Sequence, residues 1–74
     1  MKNMVNNNRN MRALTTKEVL EIVGISRTAH YEKLNPNSSS FDPDYPKKIK
    51  VGFRSVRYLE QEVFSWLEKK MGER

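Results

Sequence analysis

The chain has 74 residues, a length that favours one small domain of marginal stability. It has no cysteine, which excludes disulfides and thiolate zinc sites, and no apolar run approaches the roughly 20 residues of a membrane-spanning helix. Its 14 lysines and arginines outnumber 9 acidic residues, for a net charge of +5, which favours an anionic partner such as nucleic acid.

The first segment, residues 1–12, is basic and rich in asparagine and lacks periodic apolar residues. We predict a disordered basic tail there, and not a secretory signal peptide, because an apolar core and a small-residue cleavage site are missing. A folded domain is expected over residues 13–74. The composition is typical of a cytoplasmic protein, associated with the nucleoid if its partner is DNA, and predicts no membrane contact.

The segment LTTKEVLEIVG predicts the first helix. Thr15 is a good N-cap, and Glu18 follows three residues later, as a capping box requires. Leu14 precedes the cap and is placed to pack on Val19 as a hydrophobic staple. Gly24 is expected to end the helix, because glycine adopts the left-handed conformation at little cost.

A second helix is predicted directly after the first. Ser26 is placed to cap it, and Pro36 confines its end to Leu34 or Asn35, because proline disfavours helical backbone in the preceding residue. The short link from Gly24 to Ser26 turns the second helix sharply against the first. This geometry is typical of a helix-turn-helix.

Residues 35–46 have the composition of a loop, which Phe41 and Tyr45 are expected to hold against the body. The segment KIKVGFRSVRY then alternates, and predicts a two-stranded hairpin with its turn at residues 52–54. The predicted apolar face contains Ile49, Val51, Val56 and Tyr58. The predicted basic face contains Lys48, Lys50, Ser55 and Arg57.

Helical periodicity returns from Leu59 to Met71. The apolar face of this helix contains Leu59, Val63, Trp66 and Leu67. Phe64 lies off that face, as an exposed aromatic, a loop contact or an oligomer contact. The order helix, turn, helix, loop, hairpin, helix predicts a mainly α fold with a small β-hairpin, a winged helix-turn-helix.

The ordered set of motifs, from about Leu14 to Lys70, resembles the AlpA family of small phage-type DNA-binding regulators, within the wider group of MerR-like winged helices. The second-helix motif is matched by Gly24, Ser26, Arg27, Thr28 and Tyr31. The hairpin motif is matched by Tyr45, Pro46, Ile49, Val51, Gly52, Arg57 and Tyr58. The last helix is matched by Val63, Trp66 and Leu67.

The resemblance implies a sequence-specific protein that binds double-stranded DNA in a prophage or other mobile element. Such a protein acts either as a transcriptional regulator or as an excisionase, a recombination directionality factor that binds and bends attachment-site DNA. Its protein partner is then RNA polymerase or a site-specific recombinase. We expect a monomer in solution, with side-by-side assembly on DNA left open.

The candidate DNA-binding residues of the second helix lie in its first turns. Arg27 is opposed there by the helix dipole, which favours a function such as binding guanine in the major groove. Thr28 suits a base edge or a phosphate, and Ser26 is either a cap alone or also a phosphate contact. Tyr31 is either a core residue or a phosphate contact.

The candidate DNA-binding residues of the hairpin are Lys48, Lys50, Arg54 and Arg57. Residues 45–58 contain five basic residues and no acidic residue, which favours phosphate or minor-groove contact over a merely solvated edge. Arg57 lies close to the body and either contacts DNA or braces the hairpin.

Other classes of function find less support in the sequence. His30 is the only histidine and lacks partners for a metal site or a catalytic constellation, so we expect it to pack against Ile25. We predict no enzyme, no catalytic residue, no metal and no cofactor. The remaining alternative is a protein-interaction adaptor, whose signature would be an exposed apolar patch around Phe41, Phe53 or Phe64.

Overall fold

The computed structural model describes residues 12–73, which form three helices and three short strands. The elements in chain order are β1 (Ala13–Leu14), α1 (Thr16–Val23), α2 (Arg27–Leu34), β2 (Ile49–Lys50), β3 (Val56–Leu59) and α3 (Glu60–Gly72). The predicted order of helices and hairpin is present and is compatible with a winged-helix domain. The predicted tail lies outside the described residues except for Arg12, whose guanidinium donates to the Glu60 carboxylate at 2.7 Å.

The predicted caps of α1 are confirmed. The Thr15 hydroxyl accepts from the Glu18 backbone N–H at 3.1 Å, and the Glu18 carboxylate accepts from the Thr15 N–H at 2.9 Å. The backbone hydrogen bond from Thr15 is the main reason that the pKa of Glu18 is lowered. At the other end, Gly24 adopts φ 79° and donates to the Leu20 carbonyl at 2.8 Å.

The predicted start and end of α2 are also confirmed. The Ser26 hydroxyl accepts from the Ala29 N–H at 3.1 Å, and the helix ends at Leu34, with Asn35 as its C-cap. The link between α1 and α2 is therefore the short segment predicted from Gly24 and Ser26, which produces the helix-turn-helix.

The sheet contains one strand more than the sequence predicted. β3 lies at its centre and pairs antiparallel with β1 on one side and β2 on the other. Leu14 lies opposite Tyr58, so the start of the domain pairs with the strand that leads into α3. The short β2–β3 hairpin would be only marginally stable by itself, and its pairing with β1 joins it to the rest of the domain.

The predicted division of the hairpin into an apolar and a basic face is wrong. Ile49 lies opposite Arg57, and Lys50 lies opposite Val56. Because directly opposed residues of an antiparallel pair share a face, each face carries both a basic and an apolar residue. The prediction placed Val51 and Val56 on one face, but the Val51 N–H donates to the Ser55 carbonyl at 2.9 Å. Val51 therefore shares a face with Ser55 instead of Val56, so the register of the two strands differs by one residue from the predicted one.

The core lies between the sheet and the helices. Leu14, Val19, Tyr58 and Val63 are fully buried in one cluster. The partly buried residues that pack on it are Val23, Leu34, Val56 and Leu67. Burial of Val63 and Trp66 confirms the predicted apolar face of α3, and burial of both Leu14 and Val19 agrees with the predicted staple.

The loop between α2 and β2 is held to the body by Tyr45, as predicted, whereas Phe41 stays 40% exposed. The Tyr45 ring makes an edge contact with Trp66 at 5.0 Å between centroids. Asp42 accepts from Trp66 Nε1 at 2.9 Å. Burial favours the neutral form of Asp42, but hydrogen bonds from Trp66, the Asp44 backbone and Lys70 outweigh it and lower the pKa of this carboxyl.

Candidate nucleic-acid interface

The first turns of α2 present polar side chains to solvent. Ser26, Arg27 and Thr28 are exposed, and Tyr31 is 45% exposed. With 3.6 residues per turn, Arg27, Thr28 and Tyr31 lie within about a third of the helix circumference. The structure thus brings these predicted site residues together on one face.

The polar groups of this face are largely unused by the fold. Within residues 12–73, the side chains of Arg27 and Thr28 make no hydrogen bond or ion pair, and the first turn of α2 holds no acidic residue. The Ser26 hydroxyl does serve the fold, as the cap of the helix. Arg27 therefore stands as an exposed cation at a helix N-terminus, where the helix dipole gives it no stabilisation.

His30, three residues after Arg27 on α2, is fully buried, and its ring makes an edge contact with Tyr31 at 4.9 Å between centroids. Its Nδ1 lies 2.6 Å from the Tyr45 hydroxyl, and its Nε2 lies 2.9 Å from the Tyr58 hydroxyl. The polar partners of the imidazole are thus two tyrosines, one from the loop and one from β3, whereas the packing of His30 on Ile25 stays a prediction. This buried chain of three rings, His30 with Tyr45 and Tyr58, ties α2 to the loop and to the hairpin.

The protonation states of these rings follow from their burial. Burial and, secondarily, the charge of Arg27 lower the pKa of His30, so the imidazole is neutral near pH 7. A neutral imidazole has one N–H donor and one acceptor nitrogen, so one tyrosine accepts from it and the other donates to it. Burial, aided by Tyr58, raises the pKa of Tyr45 to about 12, so its phenol keeps the proton that this chain requires.

The hairpin presents three exposed basic residues, Lys48, Lys50 and Arg54. Lys50 lies in β2, Lys48 directly precedes this strand, and Arg54 lies in the turn. The ends of these side chains form no ion pair with any carboxylate of residues 12–73. Three exposed cations that no carboxylate of residues 12–73 pairs with make the hairpin attractive to a polyanion.

Arg57 differs from the other three basic residues of the hairpin. It is only partly exposed, and its guanidinium donates to the Val56 carbonyl at 2.8 Å. Its charge also contributes to lowering the pKa of Glu18. Partial burial and the effect on Glu18 of α1 place Arg57 near the body, and its role as a DNA contact or as a brace of the hairpin stays a prediction.

The described residues offer little to other kinds of site. No group of three or more His, Cys, Asp or Glu side chains among residues 12–73 is arranged to hold a metal ion. None of the helices described here has the length and apolar character needed to cross a membrane. An open groove of about 640 Å³ lies between the loop and α3. Its polar lining, which includes Asp44, Lys47 and Lys69, does not form a catalytic constellation.

One aromatic side chain at the tip of the hairpin is almost fully exposed. Phe53, in the turn of the hairpin, is 88% exposed, compared with 40% for Phe41 and 46% for Phe64. The Arg54 guanidinium lies 5.7 Å from the centre of its ring. The position of Phe53 between Gly52 and Arg54 in a basic turn was the sequence signal for this exposure.

Comparisons with known proteins identify the family of this chain. Residues 12–71 match the family model described as "Prophage CP4-57 regulatory protein (AlpA)". The chain is 35% identical over 66 residues to the "DNA-binding transcriptional activator AlpA" of Escherichia coli (strain K12), across 89% of this chain and 94% of that protein. No solved structure gave a significant match. The family is one of regulators and not of enzymes, and from the extent of both matches this chain belongs to the AlpA family of prophage regulatory proteins.

Proposed function

We propose that this protein is a sequence-specific regulator that binds double-stranded DNA with the N-terminal face of α2 in the major groove. The observation that carries the proposal is the exposed face of Arg27, Thr28 and Tyr31 on the second helix of a helix-turn-helix, where the side chains of Arg27 and Thr28 make no hydrogen bond or ion pair within residues 12–73. The buried side of the same helix is fixed to the body through His30. A rigidly held helix with free polar groups is what base recognition requires.

The chemistry of the α2 face suits base edges and phosphates. The guanidinium of Arg27 can bind O6 and N7 of guanine with two hydrogen bonds, and Thr28 can contact a base edge or a phosphate. Tyr31 is one turn further along, where its hydroxyl reaches the DNA backbone. The helix has eight residues and is about 12 Å long, comparable to the width of the major groove.

The hairpin supplies the backbone contacts in this proposal. Lys48, Lys50 and Arg54 lie against phosphates or the minor groove, and Arg57 braces the hairpin instead of binding DNA directly. This division of labour makes the hairpin responsible for salt-sensitive affinity, and α2 responsible for sequence preference. The arrangement is that of a MerR-like winged helix.

The regulatory role is proposed from the relative that is named a transcriptional activator. In that role the protein acts in the cytoplasm on a promoter of a prophage or other mobile element, with RNA polymerase as its indirect partner. An excisionase would use the same DNA contacts beside a recombinase at an attachment site. The genomic position of the bound sequence separates the two roles.

The test is binding to a random duplex library at two salt concentrations, with sequencing of the retained DNA. We expect one enriched motif and a steep loss of affinity at the higher salt. Retention of no DNA at low salt would refute the proposal and favour the protein-interaction adaptor.

Two variants separate base recognition from backbone binding. Arg27→Lys keeps the charge but loses the guanidinium that can donate two hydrogen bonds to one base. The binding free energy that separates the preferred base from other bases at one position should therefore fall by about 1–3 kcal/mol, while the salt dependence is preserved. Lys50→Ala should weaken binding to all sequences alike and reduce the salt slope by about 1. The opposite pattern would show that the hairpin, and not α2, recognises the sequence.

A further inference from the structure

The solvent exposure of the Phe53 side chain does not contribute to the stability of the fold. It is the most exposed large apolar side chain of the described residues, at 88%. Apart from the Arg54 guanidinium, no ring or charge of residues 12–73 contacts it at the distances of a ring or cation contact. An apolar ring of this size gains stability when it leaves water, and here the fold leaves it in water.

The tip that carries Phe53 combines apolar and basic groups. On the chain that leads into the turn, Val51 is 55% exposed and Ile49 is 39% exposed. Lys50 and Arg54 are exposed cations of the same hairpin, and residues 45–58 contain no acidic residue. Charge complementarity therefore selects an anionic partner, and the exposed ring requires that this partner also has an apolar interior within reach. Duplex DNA has both properties, with phosphates outside and stacked bases inside.

The tip is also held in a defined position. The Val51 N–H donates to the Ser55 carbonyl at 2.9 Å, which closes the turn. β3 then leads from the turn to Tyr58, whose hydroxyl bonds to His30 of α2 at 2.9 Å. The ring of Phe53 and the recognition face of α2 are thus parts of one connected framework, so docking of α2 determines where the tip meets DNA.

We propose that Phe53 is a DNA wedge. When α2 occupies the major groove, the tip enters the neighbouring minor groove, and the phenyl ring inserts part of the way between two base pairs. Arg54 enters the same groove beside the ring, where the negative potential is strongest. The insertion unstacks one base step and kinks the duplex, and flexible pyrimidine–purine steps are preferred at that position. This inference rests on the proposed function, because α2 must bind DNA for the tip to reach it.

The experiment measures unstacking and bending on a duplex selected by the wild-type protein. 2-Aminopurine placed at successive steps reports unstacking by a rise in fluorescence, and energy transfer between dyes at the two ends reports the bend. Wild-type protein should produce a localised rise and a bend. Phe53→Ala should lose both while its affinity changes by less than about tenfold, because the cost of unstacking and the gain from burying the ring largely cancel.

Two further variants make the test specific to an apolar wedge. Phe53→Leu should retain most of the unstacking, because leucine also inserts between base steps. Phe64→Ala removes a half-exposed ring from α3 and should leave affinity, unstacking and bending unchanged. Thermal unfolding should give nearly the same melting temperature for Phe53→Ala as for wild type, since the ring lies outside the core.

The possible outcomes distinguish failure of the wedge from failure of the proposed DNA-binding function. Wild-type protein that binds its site tightly without unstacking or bending would overturn the wedge and leave the proposed function standing. Equal bending by Phe53→Ala would do the same. Absence of DNA binding by the wild-type chain would instead refute the proposed function, and the wedge with it.

Discussion

Replacement of Tyr45 by phenylalanine removes one buried hydroxyl and keeps the ring that packs on Trp66 and His30. The lost hydroxyl lies 2.6 Å from Nδ1 of His30, which is fully buried and therefore shielded from bulk solvent. A buried polar group left without its partner costs about 1–3 kcal/mol. We therefore expect Tyr45→Phe to lower the free energy of unfolding by that amount, equivalent to about 4–8 °C of melting temperature for each kcal/mol.

The assay is urea unfolding followed by circular dichroism. Tyr58→Phe should show a loss of similar size, because its hydroxyl holds the other nitrogen of the same imidazole. The double variant completes a thermodynamic cycle, and we expect a coupling energy of about 0.5–3 kcal/mol, because the imidazole can keep its single N–H on whichever nitrogen retains a partner.

Tyr31→Phe is the matched control. It removes a phenol hydroxyl from the same helix as His30, but at a position that is 45% exposed. Its free energy of unfolding should stay within about 0.5 kcal/mol of wild type. If Tyr45→Phe unfolds at the same urea concentration as Tyr31→Phe, the three-ring chain does not hold α2 to the loop, and the reasoning is wrong.

Three further predictions concern the stability of the domain. Trp66→Ala should cost about 3–5 kcal/mol, because the indole is only 7% exposed and donates to Asp42; an unchanged melting temperature would show that the core is assigned wrongly. Burial lowers the folded-state pKa of His30 below 6.5, so the unfolded chain takes up its proton first. The free energy of unfolding of the wild type should therefore be level above about pH 6.5. Below that pH it should fall, by at most about 1.4 kcal/mol per pH unit, until the pH reaches the folded-state pKa of His30. The His30→Gln variant should show a flatter profile between about pH 5 and 7. Thr15→Ala should cost about 1 kcal/mol in urea unfolding, since it removes the capping hydroxyl of α1, and a cost near zero would mean that solvent replaces the cap.

The sequence by itself determined the features whose causes lie within a few residues. The capping box of Thr15 and Glu18, the left-handed Gly24 and the Ser26 cap are local hydrogen-bonding and steric effects. Pro36 limits α2 through its effect on the residue before it. Local patterns also predicted that Arg27 and Thr28 would stand together at an exposed helix start, so the main part of the candidate site was visible without a structure.

Tertiary structure decided the features that depend on distant pairing. β1 exists because Leu14 meets Tyr58, and no local pattern in two residues predicts a strand. The faces of the hairpin depend on which residues oppose each other across the turn, and a difference of one residue exchanges the faces. Alternation within each strand was visible in the sequence, but the phase between the two strands was not.

His30 shows the same limit most clearly. Its partners are 15 and 28 residues away, in a loop and in a strand, and only the packing of the whole domain brings the three rings together. A lone histidine on a short helix carries no periodic signal for such partners, whereas its neighbour Arg27 needs none because it points into solvent. Exposure at a helix start follows from local geometry, but the satisfaction of a buried polar group is a property of the complete fold.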